Sequence, residues 1–360
     1  MSNNHETILY VNLKTLEDNY NYLKNTYCKQ NKIIAVVKAY AYGLGDIEIA
    51  KKLESLDVDG FWVADFEEGV RLRKHGIVKP IMVANPGFKS RSMVLKHDLE
   101  PIIYNQRLLD LYCTDQTPVK IHLKFNTGMN RYGFDVDELN DVIKIVQSYS
   151  HLTVRSICSH LSSSNDPAMD IFSKQQLSQL ETINNRLKEA FGYSFPKHIL
   201  NSNGVLRMKS NSSDWVRLGI GLFGGVKHDG LSPIFTLKSV VNQIREVQAG
   251  NSIGYQHSFT AICPMKIAVI PVGYADGLNR TLGHSKGYVI INHLPCPILG
   301  EISMDSMVVD VSNVNAKEGD EVIIFSTEHS VVELSSKVGT IPYEIMATLN
   351  RRIKRVYLNE

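Results

Sequence analysis

Long hydrophobic runs are missing from this chain. No apolar stretch approaches the roughly 20 residues that a bilayer span requires, so a membrane is not an expected partner. No block of basic residues occurs either, and the formal net charge is only +2, which argues against nucleic acid and anionic lipid surfaces. Cysteine is sparse: Cys28, Cys113, Cys158, Cys263 and Cys296 are odd in number, scattered, and form no CxxC pair. A zinc cage and a disulfide framework are therefore not expected, nor any resident metal, and a reducing cytoplasm fits. The first dozen residues lack the basic-then-apolar plan of a signal peptide. Internal repeats and low-complexity segments are absent as well.

What the chain does have is an ordinary globular balance, 43% hydrophobic and 21% charged over 360 residues. That length calls for two domains. Apolar strand-like runs at 33–37, 61–64, 80–84, 101–104, 119–125, 154–160, 198–202 and 215–219 alternate with helix-like patterns. Such alternation argues for a parallel sheet, and eight units favour a closed (β/α)8 barrel of the TIM type over an open sheet. Beyond about residue 230 the pattern changes. Runs at 235–247, 265–271, 287–292, 306–311 and 321–325 read as strands separated by glycine and proline turns, and only 331–350 reads as helix. The expected division is an α/β barrel over 1–232 and a mostly β domain over 233–360.

The stretch IIAVVKAYAYGLGD, residues 33–46, stands out. A buried strand ends there in Lys38, whose desolvated amine has a lowered pKa and can attack a carbonyl. Taken alone, the run is better explained by a lysine snorkelling from a strand end. In a barrel, however, the active site gathers at the C-terminal strand ends. Those ends carry Lys38, Lys124 with Asn126 and Arg131 beyond it, His160, Asn201–Ser202, and Arg217. The last strand runs into Gly219-Ile220-Gly221-Leu222-Phe223-Gly224. No acidic ribose partner accompanies this GxGxxG, so a glycine turn cradling a single phosphate is the better reading, with the Ser202 hydroxyl added. A reactive lysine and a phosphate cup at one barrel mouth describe pyridoxal 5′-phosphate. His122 reads as a strand residue facing the helices, and His198 as structural. Trp62, Trp215, Met129 and Phe223 read as packing.

AVVKAYAYGLGD, HLKFNTGMNRYGF, HILNSNG, VRLGIGLFGG, PVGYADG, GEISMD and YEIMATLNRR, in this order and spacing, resemble the motif series of the alanine racemases. The resemblance implies that Lys38 bonds the cofactor's aldehyde and is the base on one face of the substrate. It implies that Tyr42, Ser202, Gly219 and Ile220 hold the phosphate, with Asn201 and His160 also around the cofactor, and that Arg217 faces the pyridine nitrogen. An arginine does not surrender its proton there, so the ring is a weaker electron sink and reprotonation is favoured over transamination. Tyr274 matches the second base, reaching a partner chain's barrel in a head-to-tail homodimer. Arg131 and Met304 match substrate-carboxylate positions, and Lys124 matches a lysine that is often carbamylated in the family. Tyr40, Leu44, Asn126, Ser303, Ser306, Ala347 and Arg351 depart from the family's usual residues, without removing a catalytic group. The activity implied is interconversion of L-alanine and D-alanine for a bacterial cell wall. Alternatives are a racemase for another small amino acid such as serine, and a non-catalytic pyridoxal-phosphate carrier, which would lack the β domain and its tyrosine.

Overall fold

The computed structural model describes residues 4–208 and 212–359. Strand β1 (Ile8–Asn12) and the helix Leu13–Thr26 come first. Eight parallel strands follow: β2 (Lys32–Val36), β3 (Gly60–Val63), β4 (Ile81–Val83), β5 (Glu100–Ile103), β6 (Val119–Lys124), β7 (Leu152–Cys158), β8 (Lys197–His198) and β9 (Trp215–Leu218). Each neighbours the next, in the order β8-β7-β6-β5-β4-β3-β2-β9. Backbone bonds from Asp214 N to Lys197 O (2.9 Å) and from Arg217 N to Leu200 O (3.0 Å) bring the two edges together. The expected (β/α)8 barrel is therefore present and nearly closed. Ile34, Phe61, Ile81, Ile102 and Ile121 are buried on these strands. Several of the intervening helices start on side-chain caps: Asp65 accepts from Glu68 N, and Asn105 from Leu108 N, each occupying a backbone donor that the first turn leaves unpaired.

The remaining strands form a nine-stranded sheet and a separate two-stranded ladder, Ser252–Ile253 with Phe259–Thr260. Within the nine-stranded sheet β1 pairs antiparallel with Phe235–Val240 (Leu9 opposite Leu237) and parallel with Lys354–Leu358 (Leu9 opposite Arg355). By contact the chain divides into one unit of the described residues of Met1–Asn19, Tyr40–Gly45 and Leu222–Glu360, and another of Tyr20–Ala39 and Asp46–Gly221. This grouping differs from the expected 1–232 and 233–360, because β1 has its hydrogen-bonding partners in the nine-stranded sheet. The run 235–247, expected as a single strand, is two. Phe235–Val240 lies beside Glu321–Phe325, whereas Gln243–Val247 pairs with Met265–Ile270. The helix expected over 331–350 is also two, Val331–Lys337 and Pro342–Ala347. Gly339 takes a left-handed φ of 70° after the first, and Pro342 opens the second, where its missing N–H costs nothing.

After β2 the chain makes one helical turn, Lys38–Tyr42, of unusual hand. Ala39, Tyr40, Ala41 and Tyr42 have φ of 54°, 58°, 49° and 54°. Left-handed helix costs an L-residue about 1–2 kcal/mol, so this turn requires external support. Within the sheet unit, Arg355 Nε and Nη2 donate to Gly43 O (3.0 and 2.8 Å) and Tyr357 Oη donates to Leu44 O (3.1 Å). The Tyr42 ring lies 5.3 Å from that of Phe223 and 5.5 Å from that of Tyr343. Arg355 is buried and donates further to Asn350 O, Ile353 O and Leu349 O. Arg355→Ala should therefore destabilise the protein by about 3 kcal/mol through orphaned buried carbonyls. Urea unfolding would show this as a lowered midpoint, and an unchanged midpoint would mean that the turn is held by other contacts.

Candidate active site

Within the barrel unit, Lys38 follows β2 and its neighbour Ala39 is pinned by an acid. Glu68 Oε1 accepts from Ala39 N (2.6 Å) and Oε2 accepts from Ala64 N (2.7 Å), so one carboxylate clamps the backbone after β2 to the backbone after β3. Burial nevertheless raises the Glu68 pKa. Partial loss of hydration lowers that of Lys38, and the Arg131 cation lowers it further, while Glu68 opposes. Lys38 is thus drawn toward the neutral amine that the sequence reading required.

Lys124, the last residue of β6, is buried. Desolvation brings its pKa down to about 8, and the cations of Arg217, Arg131 and Lys38 press in the same direction. The chain then loops out through Asn126, whose amide shapes the loop. Oδ1 accepts from Gly128 N (3.1 Å) and Asn130 N (3.0 Å), and Nδ2 donates to Asp135 Oδ1 (2.8 Å). The return needs Gly133: its φ is +131°, and a Cβ there would meet Asn126 N at 2.4 Å. Arg131 sits on this loop with its side chain exposed.

Arg217, on β9, is a buried cation with no carboxylate in contact among the described residues. Carbonyls and ring nitrogens solvate it instead. Nη1 donates to His198 O (2.9 Å) and His198 Nδ1 (2.6 Å). Nη2 donates to Ser159 O (2.7 Å), Ile199 O (3.3 Å) and His160 Nδ1 (3.2 Å). Burial lowers its pKa to about 10, still cationic at neutral pH. The indole of Trp62 lies 5.0 Å from the guanidinium carbon. Because His160 accepts at Nδ1, its proton resides on Nε2, and burial holds its pKa well below the usual histidine range. Gln176, inward on the helix Asp170–Phe191, fixes this end by donating to His160 O (3.0 Å).

Ser202 opens the short helix Ser202–Arg207 behind Asn201, which caps it by accepting from Gly204 N (2.9 Å) and is itself held by Ser164 Oγ (2.7 Å). Ser202 Oγ accepts from Gly219 N (3.1 Å) and Gly221 N (3.2 Å). A Cβ on Gly221 would crowd that hydroxyl at 3.3 Å. The intervening Ile220 N–H has no partner among the described residues. Lys38, Lys124, His160, Asn201, Ser202, Arg217, Gly219 and Ile220 thus all lie at the C-terminal strand ends, as the sequence reading placed them.

Tyr42, Tyr274 and Met304 belong to the other unit. Burial pushes the Tyr42 phenol well above its usual range. Tyr274 begins the turn Tyr274–Asp276 and is 40% exposed. Its N–H bonds Ser303 O and Ala275 N bonds Met304 O, both at 3.0 Å. Gly273 permits this approach, since a Cβ there would meet Ser303 O at 2.3 Å. Asp276 secures the turn by accepting from Gly273 N (2.8 Å) and from Arg352 Nε (2.7 Å).

One assignment changes. His122 does not face the helices: it is fully buried, with Nδ1 2.6 Å from Ser156 Oγ on β7 and Nε2 2.9 Å from Glu100 Oε2 on β5. Its ring also lies 6.1 Å from that of His198 and 6.0 Å from that of Trp215, which places it inside the barrel. The register of β6 on β7 shifts between Ile121 and His122, and a shift of this kind turns a residue to the opposite face. His198, read as structural, touches Arg217 directly. Glu68, Ser156 and Gln176 went unnoticed in the sequence, where nothing distinguishes them from surface polar residues.

The donor set fits pyridoxal phosphate. Lys38 offers an amine for the aldehyde, and the Ser202 hydroxyl and Ile220 N–H offer donors for a phosphate. Arg217 retains an Nε–H without a partner among the described residues, suited to a ring nitrogen acceptor.

Residues 11–227 match the family model of the alanine racemase N-terminal domain, and residues 234–357 that of the alanine racemase C-terminal domain. The chain is 35% identical over 355 residues to an alanine racemase of Aquifex aeolicus, covering 97% of this chain and 98% of that protein. It is 33% identical over 377 residues to one from Geobacter sulfurreducens, covering 98% and 97%. Among solved structures, the alanine racemase of Clostridium difficile 630 superposes with a TM-score of 0.90 at 28% identity, covering 99% of this chain and 97% of that one. The alanine racemase of Bartonella henselae with covalently bound pyridoxal phosphate gives 0.90 at 29%, covering 98% and 100%. Removing the hydroxyl in Ser202→Ala is expected to weaken pyridoxal-phosphate binding about tenfold, the worth of one charge-assisted hydrogen bond. Equilibrium dialysis measures this, and unchanged affinity would take Ser202 out of the phosphate cup.

Proposed function

The chain belongs to the alanine racemase family, and on that premise we propose how its own residues divide the work. It is a pyridoxal-phosphate-dependent isomerase that interconverts L-alanine and D-alanine. Bound pyridoxal phosphate supplies an aldehyde that condenses with amines and a conjugated ring that accepts the electron pair left when the α-hydrogen departs as a proton. Lys38 Nζ takes and returns a proton on one face of the substrate. Its lowered pKa, set by lost hydration and the Arg131 cation, keeps a fraction of the amine free to do so. Tyr274 Oη serves the opposite face, since a single group cannot remove and replace a proton on both sides of one carbon.

Arg217 donates to the ring nitrogen without giving up its proton, which limits how far the ring withdraws electrons. His160 presents its Nε2–H to the phenol that works beside it. Ser202, Gly219, Ile220 and Tyr42 bind the phosphate, and Asn201 shapes that cup. Arg131 and the Met304 backbone bind the substrate carboxylate. The observation that carries this reading is the gathering of an amine, a donor-only cation and a phosphate cradle at one end of the barrel. Tyr274 and Met304 are 40% and 54% exposed in a single copy of the chain, which supports their completing the site of a second copy in a homodimer. The boundary we favour lies near residue 232, with the second base supplied from 233–360. All five cysteines are free, and no helix among the described residues is long and apolar enough to cross a membrane. Both fit a cytoplasmic enzyme that supplies D-alanine for the cell wall.

Sharing of the site is testable by complementation. Lys38→Ala and Tyr274→Phe chains are each expected to be nearly inactive, and co-expressed they should recover about a quarter of wild-type turnover, because one site in each mixed dimer is then intact. No recovery would place both bases on one chain. Lys124 is also proposed to carry a carbamate, formed when the neutral amine attacks CO2 and releases its proton to solvent. With a pKa of about 8, Lys124 is mostly ammonium below that pH and mostly amine above it. A ¹³C carbamate resonance from ¹³CO2 should therefore grow between about pH 7 and 9 and vanish in Lys124→Met. Its absence throughout would leave Lys124 a plain amine.

A further inference from the structure

A row of polar side chains runs through the barrel interior below Arg217, where apolar packing is the rule. Glu100, at the start of β5, is buried, and its Oε2 lies 2.9 Å from His122 Nε2. His122 Nδ1 lies 2.6 Å from Ser156 Oγ, which lies 2.8 Å from His198 Nε2. His198 Nδ1 lies 2.6 Å from Arg217 Nη1. Trp215 stacks on the His198 ring at 5.6 Å, and Trp62 meets its edge at 5.8 Å, so the bonds lie in a water-poor setting.

The two ends determine everything between them. A guanidinium only donates and a carboxylate only accepts. His198 Nδ1, facing Arg217, must be a bare lone pair, so the His198 proton sits on Nε2 and is donated to Ser156. The Ser156 hydroxyl, already accepting, donates to His122 Nδ1. His122 then carries its proton on Nε2 and donates it to Glu100. Four hydrogen bonds therefore point one way, from Arg217 to Glu100. Burial alone would raise the Glu100 pKa, but the hydrogen bond that His122 donates opposes it, and the carboxyl lies below its usual range. Aligned bonds polarise one another in a low dielectric, which makes His198 Nδ1 a stronger acceptor and holds the guanidinium plane.

We propose that Glu100, His122, Ser156 and His198 are positioning residues, a one-directional relay that orients Arg217 from inside the barrel. The proposal rests on the reading that Arg217 faces the cofactor's ring nitrogen. It requires neutral rings at His122 and His198, both protonated on Nε2.

Long-range ¹H–¹⁵N spectra of holoenzyme labelled with [¹⁵N]histidine, assigned by single substitutions, read these tautomers without any turnover. An imidazolium at either residue, or a proton on either Nδ1, overturns the relay. Ser156→Ala cuts the row without touching Arg217. It is expected to shift the visible absorption maximum of the bound cofactor and to lower kcat about tenfold while KM changes less than about twofold, with Ser156→Thr restoring both. Arg217→Lys serves as the control. If it moves the absorption and Ser156→Ala does not, the relay is wrong. If neither moves it, the ring-nitrogen assignment of Arg217 falls, and the purpose of the relay with it.

Discussion

The barrel is organised around a buried positive charge that has no negative partner in contact among the described residues. Burying an isolated cation is costly unless hydrogen bonds replace its hydration. Around Arg217 the replacements are three carbonyls and two imidazole lone pairs, from the ends of β7 and β8. That solution constrains much else. It sets which nitrogen of His160 and His198 bears a proton, and it requires the strand ends to stand at fixed heights so that their carbonyls converge. It also accounts for the aromatic side chains Trp62 and Trp215, whose faces and edges tolerate a cation and its imidazole neighbours where an aliphatic wall would give only desolvation. Burial depresses the basicity of Lys124, and this cation and those of Arg131 and Lys38 add to the effect.

Much of this was legible in the residues. Alternating apolar runs gave the barrel, and the strand-end positions of Lys38, Ser202 and the glycines at 219 and 221 were read from the sequence where the structure has them. What escaped has physical causes. The pairing of β1 joins residues more than two hundred positions apart, and no local pattern records it. His122 sits in a strand buried on both faces, VKIHLK, with burial from Ile121 through Lys124 uninterrupted. Without alternation, a sequence cannot tell the barrel interior from its helix-facing side, and a register shift at that residue removes the remaining cue. The two-residue β8 is shorter than its apolar run because the backbone leaves the ladder to form the Asn201 cap. The left-handed turn was illegible too, for Ala-Tyr-Ala-Tyr carries no glycine, asparagine or aspartate to announce positive φ.

The sheet unit reaches its own precision by different means. Tyr274 is not fixed through its ring but through its backbone, which lies against that of Ser303 and Met304 at a distance only Gly273 allows. Asp276 and Arg352 brace the far side, and Arg352 also binds Asp305 Oδ1 at 2.6 Å. The Tyr274 phenol and the Met304 main chain are thereby made parts of one rigid corner.

The strand Lys354–Leu358 has a bearing on biosynthesis. Arg355 grips Gly43 across 312 residues, and Tyr357 grips Leu44 across 313. On a ribosome the barrel strands emerge first, yet the clasps that Arg355 and Tyr357 place on the left-handed loop after Lys38 exist only once this late strand is translated. The last contacts that support this loop are thus among the last residues to be synthesised.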